Sequence, residues 1–179
     1  IVQALRIGAQ YSAALPLNQP ARINDVGQIY HGPVVLITDA LCYSATDTFV
    51  ASFQDHQVGT VLGVDESTGA GGANVWTLAS LLTLWPGAPV EPLPHGADLR
   101  VALRRTLRLG DRSGQPVEDI GVQPDVLYRL TKRDLLEGNV DLMDRAGELL
   151  AGQIPRTLDV EVTLLETSAH LVRSPGAST

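Results

Sequence analysis

Residues 33–39 read Pro-Val-Val-Leu-Ile-Thr-Asp, an apolar run without polar alternation, and residues 41–47 read Leu-Cys-Tyr-Ser-Ala-Thr-Asp. An unbroken run of that length is expected of a strand covered on both faces. From Ala45 to Gln54 the period changes, with Ala45, Phe49, Val50 and Phe53 falling at helical spacing. Thr60 to Val64 is a second short apolar run. Strand, helix and strand within about thirty residues is the size of a βαβ unit. The chain is therefore expected to be α/β.

Between the first strand and its helix the chain must bend sharply at Ser44. Such a bend lifts a hydroxyl out of the core beside a helix N-terminus, where unpaired N–H groups can hold an oxyanion. Ser44 is then either a nucleophile or simply the helix N-cap, a position serine favours. Asp47 falls at the capping-box position, where Glu is more usual, and helix stabilisation accounts for it. The chain's one cysteine, Cys42, excludes an intrachain disulfide. With no basic residue near it in sequence, it reads as a buried, inert thiol.

Composition bounds the rest. At 179 residues the prior is one domain with a real core. A net charge of −7 argues against binding nucleic acid. The basic run from Arg100 to Arg112 interleaves with apolar residues and reads as the solvent face of a strand. Leu78 to Trp85, the longest apolar segment, is too short for a membrane span. No two histidines have ligand spacing, so no metal and no cofactor are expected. No signal peptide is visible. The chain opens at Ile1 without Met, which reads as a piece of something longer.

Elsewhere, Ile1 to Tyr11 is expected to be a short helix and Leu15 to Gly32 a loop. Asp65 to Gly72 reads DESTGAGG, a segment whose glycines permit φ > 0 and close approach to a ligand. No GK[ST] follows, which weakens a phosphate cradle. Ala73 to Leu78 is expected to return to the sheet, and Trp85 to Gly96 to be a loop. Leu99 to Leu109 alternates as one arm of a hairpin turning at Gly110 to Gly114. Asn139 to Gly152 is amphipathic, with Asn139 as N-cap and Gly152 as C′ stop. Leu158 to Leu164 alternates like an edge strand, and the tail from Ser168 is expected to be loose.

Four segments occur in a telling order: GPVVLITDALCYSATDTFVASFQD, GTVLGVDESTGAGG, LPHGADLRVALRRTLR and VEDIGVQPDV. Together, over about Gly32 to Gln153, they resemble the tail-specific (C-terminal processing) serine protease family, including its tricorn-type branch. The Gly121–Asp125 element, G-V-x-P-D, is the most distinctive. The resemblance implies a ClpP/crotonase-like spiral of ββα units. Residues 1–153 would be the C-terminal portion of a catalytic domain, and residues 154–179 a C-terminal strand and tail. The family's Gly-rich segment and PDZ insertion upstream of the nucleophile have no counterpart before residue 32.

By the same resemblance Ser44 is the nucleophile and the Ala45 N–H one oxyanion donor. Gly69, Gly71 and Gly72 would line the substrate cleft and pair with an extended peptide by strand addition. Tail-specific members place a lysine base in the Gly-rich segment. Here Ala70 to Gly72 holds none, and the chain's one lysine, Lys132, lies elsewhere, so that dyad is excluded. Tricorn-type members use a histidine from the N-terminal portion and a glutamate that Glu118 matches. Glu118 read by itself is an exposed carboxylate on a turn. Of His31, His56, His95 and His170, none sits where the family has its base.

The function implied is a serine-type peptidase acting on peptide or unfolded protein, with an envelope or secreted location favoured over the cytoplasm. The alternative is a non-catalytic member binding peptide or an apolar ligand in the same cleft. Acyl-CoA chemistry of the crotonase kind is disfavoured by VEDIGVQPD, and fold alone does not decide chemistry.

Overall fold

The computed structural model describes residues 2–16, 19–23, 25, 27, 29–72, 74–87, 89, 91–153, 160–165 and 168–173. The chain divides into two compact units, Val34–Leu150, and Ile1–Pro33 together with Ala151–Thr179.

Before the first strand lie two short helices, α1 (Val2–Arg6) and α2 (Pro20–Ile23). The expected longer first helix stops early because Gly8 turns into the left-handed region at φ 67°. The expected loop at 15–32 contains α2, which opens on a proline whose fixed φ suits a first helical position.

The βαβ unit forms as the periodicity predicts. β1 (Val35–Thr38) leads through the bend into α3 (Ala45–Asp55), and the chain returns in β2 (Thr60–Gly63). β1 and β2 pair in parallel, Val35 opposite Thr60 and Thr38 opposite Gly63. Next come β3 (Val75–Thr77), α4 (Leu78–Leu84), β4 (Arg100–Ala102), β5 (Val126–Leu127), α5 (Lys132–Glu137) and α6 (Val140–Ala151). β5 joins β2 in parallel on its other side, so the sheet order is β1-β2-β5. Among the described residues β1 is thus an edge, and Ile37 is exposed rather than covered.

The strand covered on both faces is β2. Its side chains alternate between faces. Val61 packs with Val50, Ala51, Phe53, Val117 and Val122 on the α3 side. Leu62 packs with Leu142 and Ala146 of α6 on the other. Removing either large β2 side chain would open a cavity, which typically costs about 2–5 kcal/mol.

Three expectations need correcting. β3 does not rejoin the main sheet; it pairs antiparallel with β4, Val75 opposite Ala102. The alternating arm from Leu99 offers it a partner for three residues only, after which the arm turns inward. The basic run is not all solvent face, because Arg108 is buried. The tail from Ser168 is not loose: β6 (Val160–Leu165) and β7 (Ser168–Arg173) form an antiparallel pair, Val160 opposite Arg173. Leu158, Asp159 and residues 174–179 lie outside the described residues.

Helix α5 is bounded by its caps. Thr131 caps it by accepting the Asp134 N–H, and Gly138 ends it in the left-handed region. Asp134 also joins α5 to α6, accepting the Leu142 N–H at 2.8 Å and the Tyr128 hydroxyl at 2.8 Å. Burial works against its charge, but the N–H groups of Thr131 and Leu142 and the Tyr128 and Thr131 hydroxyls outweigh it and hold the carboxyl at about 2. Burial and the hydrogen bond to Asp134 push Tyr128 up to about 12.

The folded Asp134 value lies below the unfolded one. Its stabilisation is therefore complete above the ordinary carboxylate range, near about 4, and is lost as pH falls from there through about 2. Following the side-chain carboxyl by carbon NMR should place its titration in that window, and Asp134→Asn should remove that part of the acid dependence of unfolding. Titration at an ordinary carboxylate value would contradict it.

Candidate active site

The bend before α3 is built by carboxylates. Asp39 follows β1 and accepts the N–H groups of Leu41 and Cys42 on one oxygen, both at 3.0 Å, an Asx turn. From the end of β2, Asp65 accepts the Ala40 N–H at 2.9 Å. With the chain pinned on both sides, Ser44 takes φ 64° and ψ −114°. A non-glycine residue there lies outside the ordinary left-handed basin and costs strain that persists only when its surroundings over-determine it. Ser44 is exposed, and Ala45, the first residue of α3, is exposed beside it. The Ala45 N–H is one of the donors that a helix's first turn leaves without an intrahelical acceptor, at the positive end of the helix dipole.

Asp47 does far more than cap. It is fully buried, and it accepts the Ser44 N–H at 2.7 Å on one oxygen. The same oxygen accepts the Gly71 N–H at 2.9 Å. The other accepts the Thr68 hydroxyl at 2.5 Å and the Ala70 N–H at 3.1 Å. The Gly69 N–H donates to the Cys42 carbonyl at 2.8 Å. The glycine segment is thus folded onto the bend with its amides inward.

The N–H groups of residues 69–71 are spent on Cys42 and Asp47. Gly71 and Gly72 are buried and Gly69 is half-buried. Their lack of a side chain has a nearer cause. A Cβ on Gly71 would lie 2.2 Å from the Tyr43 ring, and one on Gly72 2.7 Å from Val117.

The turn bearing Glu118 packs on the other side of the loop. The Thr68 N–H donates to the Val122 carbonyl at 3.1 Å, and the Asp119 N–H to the Ala70 carbonyl at 3.3 Å. The Val122 N–H donates to the Thr68 hydroxyl at 2.9 Å. Gly121, at φ 70°, is required here, since a Cβ would sit 2.6 Å from the Thr68 carbonyl oxygen. Glu118 itself is half-buried. Bend, loop and turn form one hydrogen-bonded run, with Ser44 at one end and Glu118 at the other.

The remaining candidates belong to other elements. His56 caps the C-terminal end of α3, twelve residues from Ser44, which is about 18 Å along a helix axis. His95 is exposed in the turn Pro94–Gly96, and Lys132 is exposed at the start of α5. His31 and His170 belong to the other unit. Cys42 is half-buried, and burial pushes its thiol up, which favours the unreactive form. Among the described residues no group of His, Cys, Asp and Glu could hold a metal ion, and no helix is long and apolar enough to cross a membrane.

Serine hydrolases that present their nucleophile on a strained turn from strand to helix use a bend of this kind. The sequence pattern of peptidase family S41 matches residues 6–128, more than half of the chain. The chain belongs to peptidase family S41, a family of serine peptidases that act on peptides and proteins. No curated protein matches it.

Proposed function

We propose that Ser44 is the nucleophile of a serine peptidase that processes polypeptides near a C-terminus or trims unfolded peptide in a tricorn-like manner. The observation that carries this reading is the backbone of Ser44, strained, exposed and pinned by Asp39, Asp65 and Asp47. Strain held in place by so many contacts is a mark of functional positions.

In this reading the Ser44 hydroxyl loses its proton to a base and its oxygen attacks the scissile carbonyl. The tetrahedral oxyanion is received by the Ala45 N–H, and its collapse expels the amine, which takes up the proton. Water then hydrolyses the acyl-serine. Glu118 orients the base, which is supplied from outside residues 1–179. Residues 1–179 alone therefore hydrolyse peptide little or not at all.

A fluorophosphonate probe on the full-length protein tests this. Labelling that disappears in Ser44→Ala supports the nucleophile. Absence of labelling supports a non-catalytic peptide binder, a reading favoured by the lack of lysine at Ala70 to Gly72. Cleavage by residues 1–179, abolished by Ser44→Ala, would overturn the external base.

A further inference from the structure

We propose that Asp47 is a positioning residue that locks the Ser44 bend, the glycine loop and the Glu118 turn into one rigid piece. The proposal rests on the reading of Ser44 as nucleophile and adds to it the element that holds the nucleophile in register with the acid-bearing turn.

A helix cap needs one acceptor, and the Ser44 N–H supplies that bond. Three further donors reach Asp47 from Thr68, Ala70 and Gly71, which lie 21 to 24 residues away in sequence. An ionised carboxylate offers about four lone-pair sites, and here every one is taken. The residue is 0% exposed, so water replaces none of these bonds. The Thr68 hydroxyl donates to Asp47 while accepting the Val122 N–H, and so carries the link into the turn of Glu118. All four partners are donors, so the site calls for a pure acceptor.

Asp47→Asn keeps the volume and breaks this match. With its amide nitrogen on one side it faces the Ser44 and Gly71 N–H groups; flipped, it faces that of Ala70. Either way a buried donor meets a donor, which is costly. Hydrogen exchange of the full chain should show protection at Ser44, Ala70 and Gly71 falling at least about tenfold in D47N, with the β2 amides unchanged. In the full-length protein, fluorophosphonate labelling per folded molecule should fall at least about tenfold as well.

Asp55→Asn, at the far end of α3, is the control for destabilisation alone and should leave the labelling rate per folded molecule as it was. If D47N does not fold, Thr68→Val removes one donor and should still raise exchange at Gly71 and Val122. Native exchange at those amides in either variant overturns the proposal. Equal labelling of wild type and D47N overturns it too, while leaving the nucleophile intact. Loss of exchange protection without any labelling of wild type leaves the joint standing and removes the nucleophile.

Discussion

Replacing Ser44 with glycine is expected to raise the melting temperature of the chain while abolishing its reaction with a fluorophosphonate. A side chain at φ 64° and ψ −114° is carried at a loss, typically about 1–3 kcal/mol for such outliers. Glycine enters the same backbone region without that cost. Against this stand its larger entropy loss on folding, about 0.5–1 kcal/mol, and a few tenths for the weaker N-cap. The balance is a gain of about 1 kcal/mol, or roughly 2–4 °C for a chain of this size. Ser44→Ala keeps the Cβ and the strain, so it should lose the reaction and gain no stability. The comparison separates two roles of one residue. Equal melting temperatures for the two variants would mean that the bend stores no strain. Labelling that survives both would mean that another residue reacts.

The elements that set this site were legible where the information is local. The period change at Ala45 located the helix, the apolar runs located β1 and β2, and their junction located Ser44. What stayed hidden depends on partners far away in sequence. Asp47 stands three residues after Ser44, so its capping bond could be read; its three bonds to the glycine loop could not. Arg108 shares the alternation of the arm from Leu99 and so read as exposed. The strand ends at Ala102, however, and Thr106 then binds the Gly72 carbonyl through its hydroxyl. From there on, alternation no longer reports which side faces water. The glycines at 69–72 were legible as permissive backbone, but not as seats for Tyr43 and Val117, because a glycine records freedom and not what fills it. Glu118 was visible only through resemblance, since nothing around it in sequence distinguishes it from any turn carboxylate.

The largest effect on stability is expected from Asp55→Ala, at about 3–5 kcal/mol measured by urea unfolding. Asp55 and Arg108 are each 4% exposed at the side chain and meet at 2.6 Å. The Arg108 Nε donates to both carboxylate oxygens at 3.0 Å, its Nη2 donates to Gln54 at 2.8 Å, and the Leu109 N–H donates to Asp55 at 2.9 Å. Removing the carboxylate leaves a buried guanidinium that cannot lose its proton. The cost therefore exceeds the net worth of the pair, and the double variant Asp55→Ala with Arg108→Met should recover most of it, because neither buried charge remains. A double variant as unstable as the single one would show that the bonds to Gln54 and Leu109, and not the charge balance, hold the arm. Acid gives an independent reading. Burial raises the Asp55 carboxyl, but Arg108, the Leu109 N–H and Arg112 outweigh it and leave the group below its ordinary value. The pair's contribution is thus complete above the ordinary carboxylate range and fades as pH falls through the lowered folded value. Asp55→Ala should accordingly unfold with a shallower dependence on acid than the parent chain, and an unchanged dependence would assign the acid sensitivity to other carboxylates.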